Sequence, residues 1–278
     1  LLANWISITS SGDFTSLTAV NANGEVWRST DSGANWSQVA DGSFLFRYDP
    51  APYDIEAIIT SASDPAHSGK IALAQHNGYI HFADYNESGE GSAAPQFLTI
   101  AHTPQYWTDI AMNSDGTKIA GVETGVSRGS QGGYIWIGQA SGENNSWDSG
   151  DSPSTTLNLP GSSTTSTGSS QWNVNTSAPQ NFWSGITCDS TFQYLTAIVD
   201  YQGGQPEGGI WTSNNSGTTW SHVTNSATRT QRWYAITSSS DGKKLAAVVY
   251  DGHIWLGSDY GNTWTEVGQQ LRDNTTNW

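Results

Sequence analysis

The chain has 278 residues, of which 13% are charged and 35% apolar, with 30 Gly, 14 Trp, 11 Tyr and 67 Ser plus Thr. Turn formers, hydroxyls and aromatics dominate over the Leu, Lys, Glu and Met that fill long helices, which excludes a helical bundle or a helix-wrapped parallel sheet and favours an all-β chain. The net charge of −15 disfavours nucleic acid, no apolar run is long enough for a membrane-spanning helix, and Cys188 is the only cysteine, so no internal disulfide can form.

Four strand-like runs recur along the chain: an aromatic-led run, a small-aliphatic run, a Gly-x-Ile-Trp run and a Trp-x-x-Val run. The first copy, about 1–50, has Trp5 to Ser10, Leu17 to Val20, Gly24 to Trp27 and Trp36 to Val39. The second, about 51–103, starts at Ile55 and continues through 70–74 and 78–85. The third, about 104–178, starts at Trp107, and its remaining runs are 118–122, 132–138 and 171–174. The fourth, about 179–229, starts at Trp183, and the fifth, about 230–278, at Trp233.

The leading positions 5, 55, 107, 183 and 233 are 50, 52, 76 and 50 apart. The long interval contains a Ser/Thr/Gly-rich stretch, 139–170, which cannot bury a core and reads as a surface insertion. Four antiparallel strands per 45–50 residues is the signature of a propeller blade. The expected fold is one β-propeller of five four-stranded blades over 1–278. Trp278 stands where a sixth copy would begin. It suggests one module of a longer polypeptide or assembly, with further modules or copies as partners.

The turn between the third and fourth runs carries the most specific pattern. It reads Ser29 to Trp36, Ser213 to Trp220 and Gly257 to Trp264, with Asp31, Asn215 or Asp259 at the third position and Gly33, Gly217 or Gly261 at the fifth. This resembles the Asp-box, or BNR repeat, of sialidases, sortilin-type receptors, several glycoside hydrolases, lectin-like propellers and photosystem assembly factors. Asn215 departs from the pattern, and the second and third copies lack it. The resemblance implies a propeller but no particular activity. The expected role of the nine residues is structural: Asp31 and Asp259 accept from their own turn, the glycines permit positive φ, and Trp36, Trp220 and Trp264 fold back over the hairpin.

Sialidase chemistry is disfavoured, because the chain has only six Arg and Phe46-Arg47-Tyr48-Asp49-Pro50 matches the sialidase Phe-Arg-Ile-Pro motif poorly. Glycoside hydrolysis needs two carboxylates about 5–10 Å apart. Asp54, Glu56, Asp109, Glu123 and Glu207 are the candidates, and one sequence does not show whether any two converge. No metal or cofactor motif is present. Repeating tryptophans, Trp5, Trp107, Trp183 and Trp233 with Trp27, Trp136, Trp211 and Trp255, read as interblade packing. The nonrepeating Trp147, Tyr201, Tyr48 and Tyr53 are the candidates for glycan recognition. Six sequons, at Asn35, Asn86, Asn144, Asn175, Asn214 and Asn274, are N-glycosylation candidates, though composition alone gives nearly as many. The expected function is an extracellular or cell-surface recognition or structural module, binding glycans or other surface proteins. The alternatives are a glycoside hydrolase and an assembly factor.

Overall fold

A computed structural model describes residues 4–11, 14–41, 55–60, 69–84, 97–125, 132–140, 147, 171–201, 208–225 and 227–267. Among them there is no α-helix, and the one helical turn is a 3-10 segment at Asp259–Gly261. The strands are β1 Trp5–Ser10, β2 Leu17–Asn21, β3 Glu25–Ser29, β4 Ser37–Asp41, β5 Ile55–Thr60, β6 Lys70–Asp84, β7 Leu98–Met112, β8 Lys118–Glu123 and β9 Ile135–Gln139. They continue as β10 Gln171–Asn175, β11 Trp183–Cys188, β12 Leu195–Val199, β13 Gly209–Ser213, β14 Ser221–His222, β15 Trp233–Ser238, β16 Leu245–Val249, β17 Ile254–Ser258 and β18 Thr263–Val267. They form three four-stranded antiparallel sheets, β1-β2-β3-β4, β11-β12-β13-β14 and β15-β16-β17-β18, and one six-stranded sheet of order β10-β9-β8-β7-β6-β5. The chain divides into two compact units, residues 1–119 with 138–173, and residues 120–137 with 174–278.

The repeat has a fixed local grammar. In four sheets the turn after the first strand places its fourth residue in the left-handed region: Phe14, Gly116, Phe192 and Gly242 have φ of 62°, 69°, 64° and 70°. The N–H of each bonds back three residues, to Ser11, Asn113, Asp189 and Ser239. The side chains of those four residues close the same turn by accepting the N–H of Ser16, Lys118, Tyr194 and Lys244. The first strand also carries a repeated bulge. Registers slip by one residue between Trp5 and Ser7, Ile55 and Ala57, Trp183 and Gly185, and Trp233 and Ala235. A bulge at a fixed place re-aims the extra side chain and increases the twist.

The six-stranded sheet differs from the expected second and third copies. The runs 70–74 and 78–85 were expected as two strands, but 70–84 is one strand. Likewise 98–112 is continuous. Gly78 presses its backbone against Gln75, where a Cβ would come within 2.7 Å of the Gln75 Cβ. Three register shifts between His76 and His81 then bend the β6–β7 pairing instead of closing a hairpin. The sheet curls as a result.

Each unit has its own core. In the first, Val20 and Val26 of the β1–β4 sheet pack with Ile71, Leu73, Ala83 and Phe97. Trp147 and Trp172 stack nearby with centroids 6.0 Å apart, their indole N–H groups bonded to the carbonyls of Gly116 and Ile100. In the second, Trp233, Leu245, Ala247, Val249, Trp255 and Trp264 of one sheet face cover Ile198, Ile210 and Val223 of the preceding sheet. The leading Trp meets the third-strand Trp edge to face at 6.5, 6.2 and 5.7 Å for Trp5–Trp27, Trp183–Trp211 and Trp233–Trp255.

Candidate functional site

The two ends of the sheets differ in character. One end carries the turns after the first and third strands. At 29–36 the Ser29 hydroxyl donates to Asp31 and accepts the Gly33 N–H, while Asp31 accepts both the backbone and the side-chain N–H of Asn35. These bonds, the Asn35 backbone first, hold the Asp31 carboxyl down at about 2. The same cage forms at 213–220 around Asn215, whose Oδ1 accepts from Ser213 and from the Thr219 N–H and whose amide donates to the Thr219 hydroxyl. Asn therefore does the work of Asp in this turn. At 257–264 the serine is replaced by Gly257, no described group donates to the Asp259 carboxylate, and Asp259 and Tyr260 both take positive φ. All three tryptophans fold back alike, Trp36, Trp220 and Trp264 donating to the carbonyls of Gly33, Gly217 and Gly261.

The opposite end is made where a second strand finishes beside the start of a first strand. Arg232, just before β15, is joined to Asp200, just after β12, by two bonds of 3.0 and 3.4 Å. The hydrogen bond and charge of Asp200 raise the arginine's pKa further. The guanidinium lies 4.4 Å from the ring centroid of Tyr250, and the Tyr250 N–H bonds to the Arg232 carbonyl. Tyr250 is 51% exposed, and Tyr234, the extra residue of the β15 bulge, is 67% exposed.

The segment before Arg232 is held by close backbone approach. A Cβ on Gly208 would fall 2.5 Å from the Arg229 carbonyl and 2.7 Å from the Tyr201 ring, so only glycine fits. His222 bonds to the Gly208 carbonyl and stacks on Trp211. The result is a half-buried Tyr201, an anchored arginine with two of its five N–H donors committed to Asp200, and two open tyrosines. Such a surface can stack on an apolar ring face and donate to hydroxyls or carboxylates.

The sequence candidates fall out as follows. Tyr201 belongs to this cluster. Trp147 is buried in the first unit and offers no open ring. Tyr48, Tyr53, Asp54, Glu207, Asn86, Asn144 and Asn274 lie outside the described residues, as do the side chain of Glu56 and, apart from Gln139, Ala140 and Trp147, the insertion 139–170. Asp109 accepts the N–H of Ile110. Glu123 is buried, its carboxyl raised by burial while it accepts from the Trp136 indole at 3.0 Å and from the Tyr134 N–H. Asn35 is bound to Asp31. Asn175 clamps the 213–220 turn, donating to the carbonyls of Gly217 and Thr218. Asn214 is exposed. Sequence reasoning missed Arg232, Asp200, Tyr234 and Tyr250. The available signal was variation at fixed repeat positions: Asn4, Tyr106, Phe182 and Arg232 precede the leading Trp in four copies.

No family model and no curated protein matches the chain. Solved structures do. The xyloglucanase of glycoside hydrolase family 74 from Xanthomonas campestris aligns with a TM-score of 0.57 at 14% identity, over 89% of this chain and 35% of its own. PorZ, a surface component of the type-IX secretion system of Porphyromonas gingivalis, aligns with a TM-score of 0.55 at 14% identity, over 96% of this chain and 27% of its own. YCF48 from Cyanidioschyzon merolae aligns with a TM-score of 0.54 at 15% identity, over 95% of this chain and 72% of its own. The chain thus spans about a third of the first and about a quarter of the second. All three are β-propeller proteins, and the likeness is one of fold.

Proposed function

We propose that the chain is an extracellular or cell-surface recognition module, a five-bladed propeller with Asp-box hairpins, that binds glycan at the strand ends carrying Asp200, Tyr201, Arg232, Tyr234 and Tyr250. The observation that carries this reading is the open Tyr250 ring beside an arginine held in place by Asp200. Sugars present apolar C–H faces to aromatic rings and hydroxyls to fixed donors. A salt bridge this exposed adds at most about 1 kcal/mol to stability, so orientation is its main effect.

The fold neighbours fit a polysaccharide or a cell surface as the setting, since one is a xyloglucanase and another a bacterial surface component. Binding is favoured over hydrolysis because the described carboxylate candidates are engaged, Asp109 by its own strand and Glu123 by Trp136.

Immobilised plant and bacterial oligosaccharides probed with the whole chain test the proposal. Binding is expected, weakened about tenfold or more in Tyr250→Ala and Arg232→Ala at unchanged melting temperature, with the oligosaccharide recovered at full length. No binding across the array rejects the reading, and shortened products favour the hydrolase.

A further inference from the structure

Arg232 is held so that one edge of its guanidinium is left over. Its Nε and Nη2 donate to the two oxygens of Asp200, which takes up the side edge. One N–H of Nη2 and both of Nη1 remain. Two of these three run parallel at the end of the group, in the fork that fits a carboxylate. Among the described residues no group bonds to Nη1. One flat side of the guanidinium lies against the Tyr250 ring.

The backbone beneath is fixed as well. Arg232 and Asp200 form a β-bridge, and the Tyr250 N–H bonds to the Arg232 carbonyl. The next residue, Trp233, is fully buried, with its indole N–H on the Thr228 carbonyl. An arginine held at its backbone, its side edge and one face loses little freedom when a ligand takes the remaining edge. All of these groups belong to the second unit.

The charge around the arginine agrees. Residues 208–240 hold Arg229 and Arg232 and no acid, although the chain has 25 acids and 10 bases. Arg229 packs its backbone against Gly208 and Gly209 of the same end. Asp200 and Asp251 are matched by Arg229 and Arg232, so the described charges here cancel while the whole chain carries −15.

We infer, resting on glycan binding at this end, that the sugar bound there is a uronic acid whose carboxylate sits on the remaining fork of Arg232. A uronate joins an apolar C–H face to a planar carboxylate one carbon from the ring, so one sugar can meet the tyrosine and the fork together. A neutral hexose offers a single hydroxyl at that place and leaves a charged donor without an acceptor. Repulsion from the acidic chain fades beyond about 8 Å at about 0.15 M salt, whereas a bidentate contact pair persists there.

Titration calorimetry of the whole chain at that salt tests this. The ligands are oligomers of one length on glucan and galactan backbones, each as the neutral sugar, the uronate, the uronate methyl ester and the 6-sulfate. On at least one backbone the uronate is expected to bind about tenfold or more tighter than its ester and its neutral counterpart. Arg232→Lys keeps the charge and loses the fork, and should shrink that preference to about threefold or less at unchanged melting temperature. The ester alters the ligand alone, so that comparison does not depend on a variant folding. Equal affinity for uronate and ester overturns the inference and leaves glycan binding standing. A sulfate bound more tightly than the uronate overturns the carboxylate. Binding to neutral oligomers only, or to none of the set, overturns the inference too, while the broader oligosaccharide array decides glycan binding separately.

Discussion

Single side chains in this protein split into those that hold turns and those that stand open. Trp264 is 5% exposed, packs on Trp233 and donates to the Gly261 carbonyl, so Trp264→Ala should cost about 3–5 kcal/mol. Trp36 is 36% exposed and its replacement should cost clearly less; thermal melts of the two variants check the order. Left-handed phenylalanines give a sharper contrast. Phe14 is 58% exposed at φ 62°, and Phe14→Gly, which relieves the backbone, should be neutral or stabilising by up to about 1 kcal/mol. Phe192 is fully buried at φ 64°, and Phe192→Gly should destabilise by about 3 kcal/mol because lost packing outweighs relieved strain. Denaturant midpoints of the pair decide whether burial or backbone governs this turn.

Charge enters at the same scale with opposite signs. The Asp31 carboxyl is lowered from 3.8 to about 2, so its contribution is present above pH 3.8 and is lost as pH falls towards 2. Asp31→Asn, with the Asn35 amide turned over, should keep the turn as Asn215 does and flatten that acid loss. Glu123 is raised, so its ionised form disfavours the fold above its native pKa, and the gain appears only on acidification. Glu123→Gln retains the acceptor for Trp136 and should melt higher than wild type at pH 7 but level with it in acid. Melting curves from pH 2 to 7 read both.

At the scale of the element, the strands were legible and their joins were not. Alternating Trp, Ile and Val with regular turn signals marks β1–β4, β11–β14 and β15–β18 directly. The bulge at each first strand leaves no pattern that apolar periodicity reveals, since the extra residues are Ile6, Glu56, Ser184 and Tyr234. It is nevertheless what lifts Tyr234 into the open. The bend at Gly78 was hidden for a related reason: Asn77-Gly78 reads as a turn, while the chain uses the glycine for close approach to Gln75. Asn215 looked like a degraded motif and proves an intact cage, because the turn needs an acceptor oxygen and not a charge.

For the whole molecule, the repeat separates sheet ends whose turns are closed by side chains from ends where the residues vary between copies. Turns after first and third strands are fixed by the hydrogen bonds of Asp189, Ser239, Asp31 and Asn215, leaving little freedom to vary. At the other end the fixed bonds join backbone to backbone, Ala22 to Asn4, Asp200 to Phe182 and Tyr250 to Arg232, so the side chains there are left to differ between copies. Nonrepeating aromatics alone pointed to Trp147, which is core, because one sequence does not separate a unique packing residue from a unique contact residue. The division of labour between the ends is tested most directly by titrating one bound oligosaccharide into Tyr250→Ala and Trp264→Ala, each at a temperature where it is folded. The account predicts that Tyr250→Ala loses affinity about tenfold or more while Trp264→Ala binds as wild type does. Undiminished binding by Tyr250→Ala, with affinity lost in folded Trp264→Ala, would contradict it.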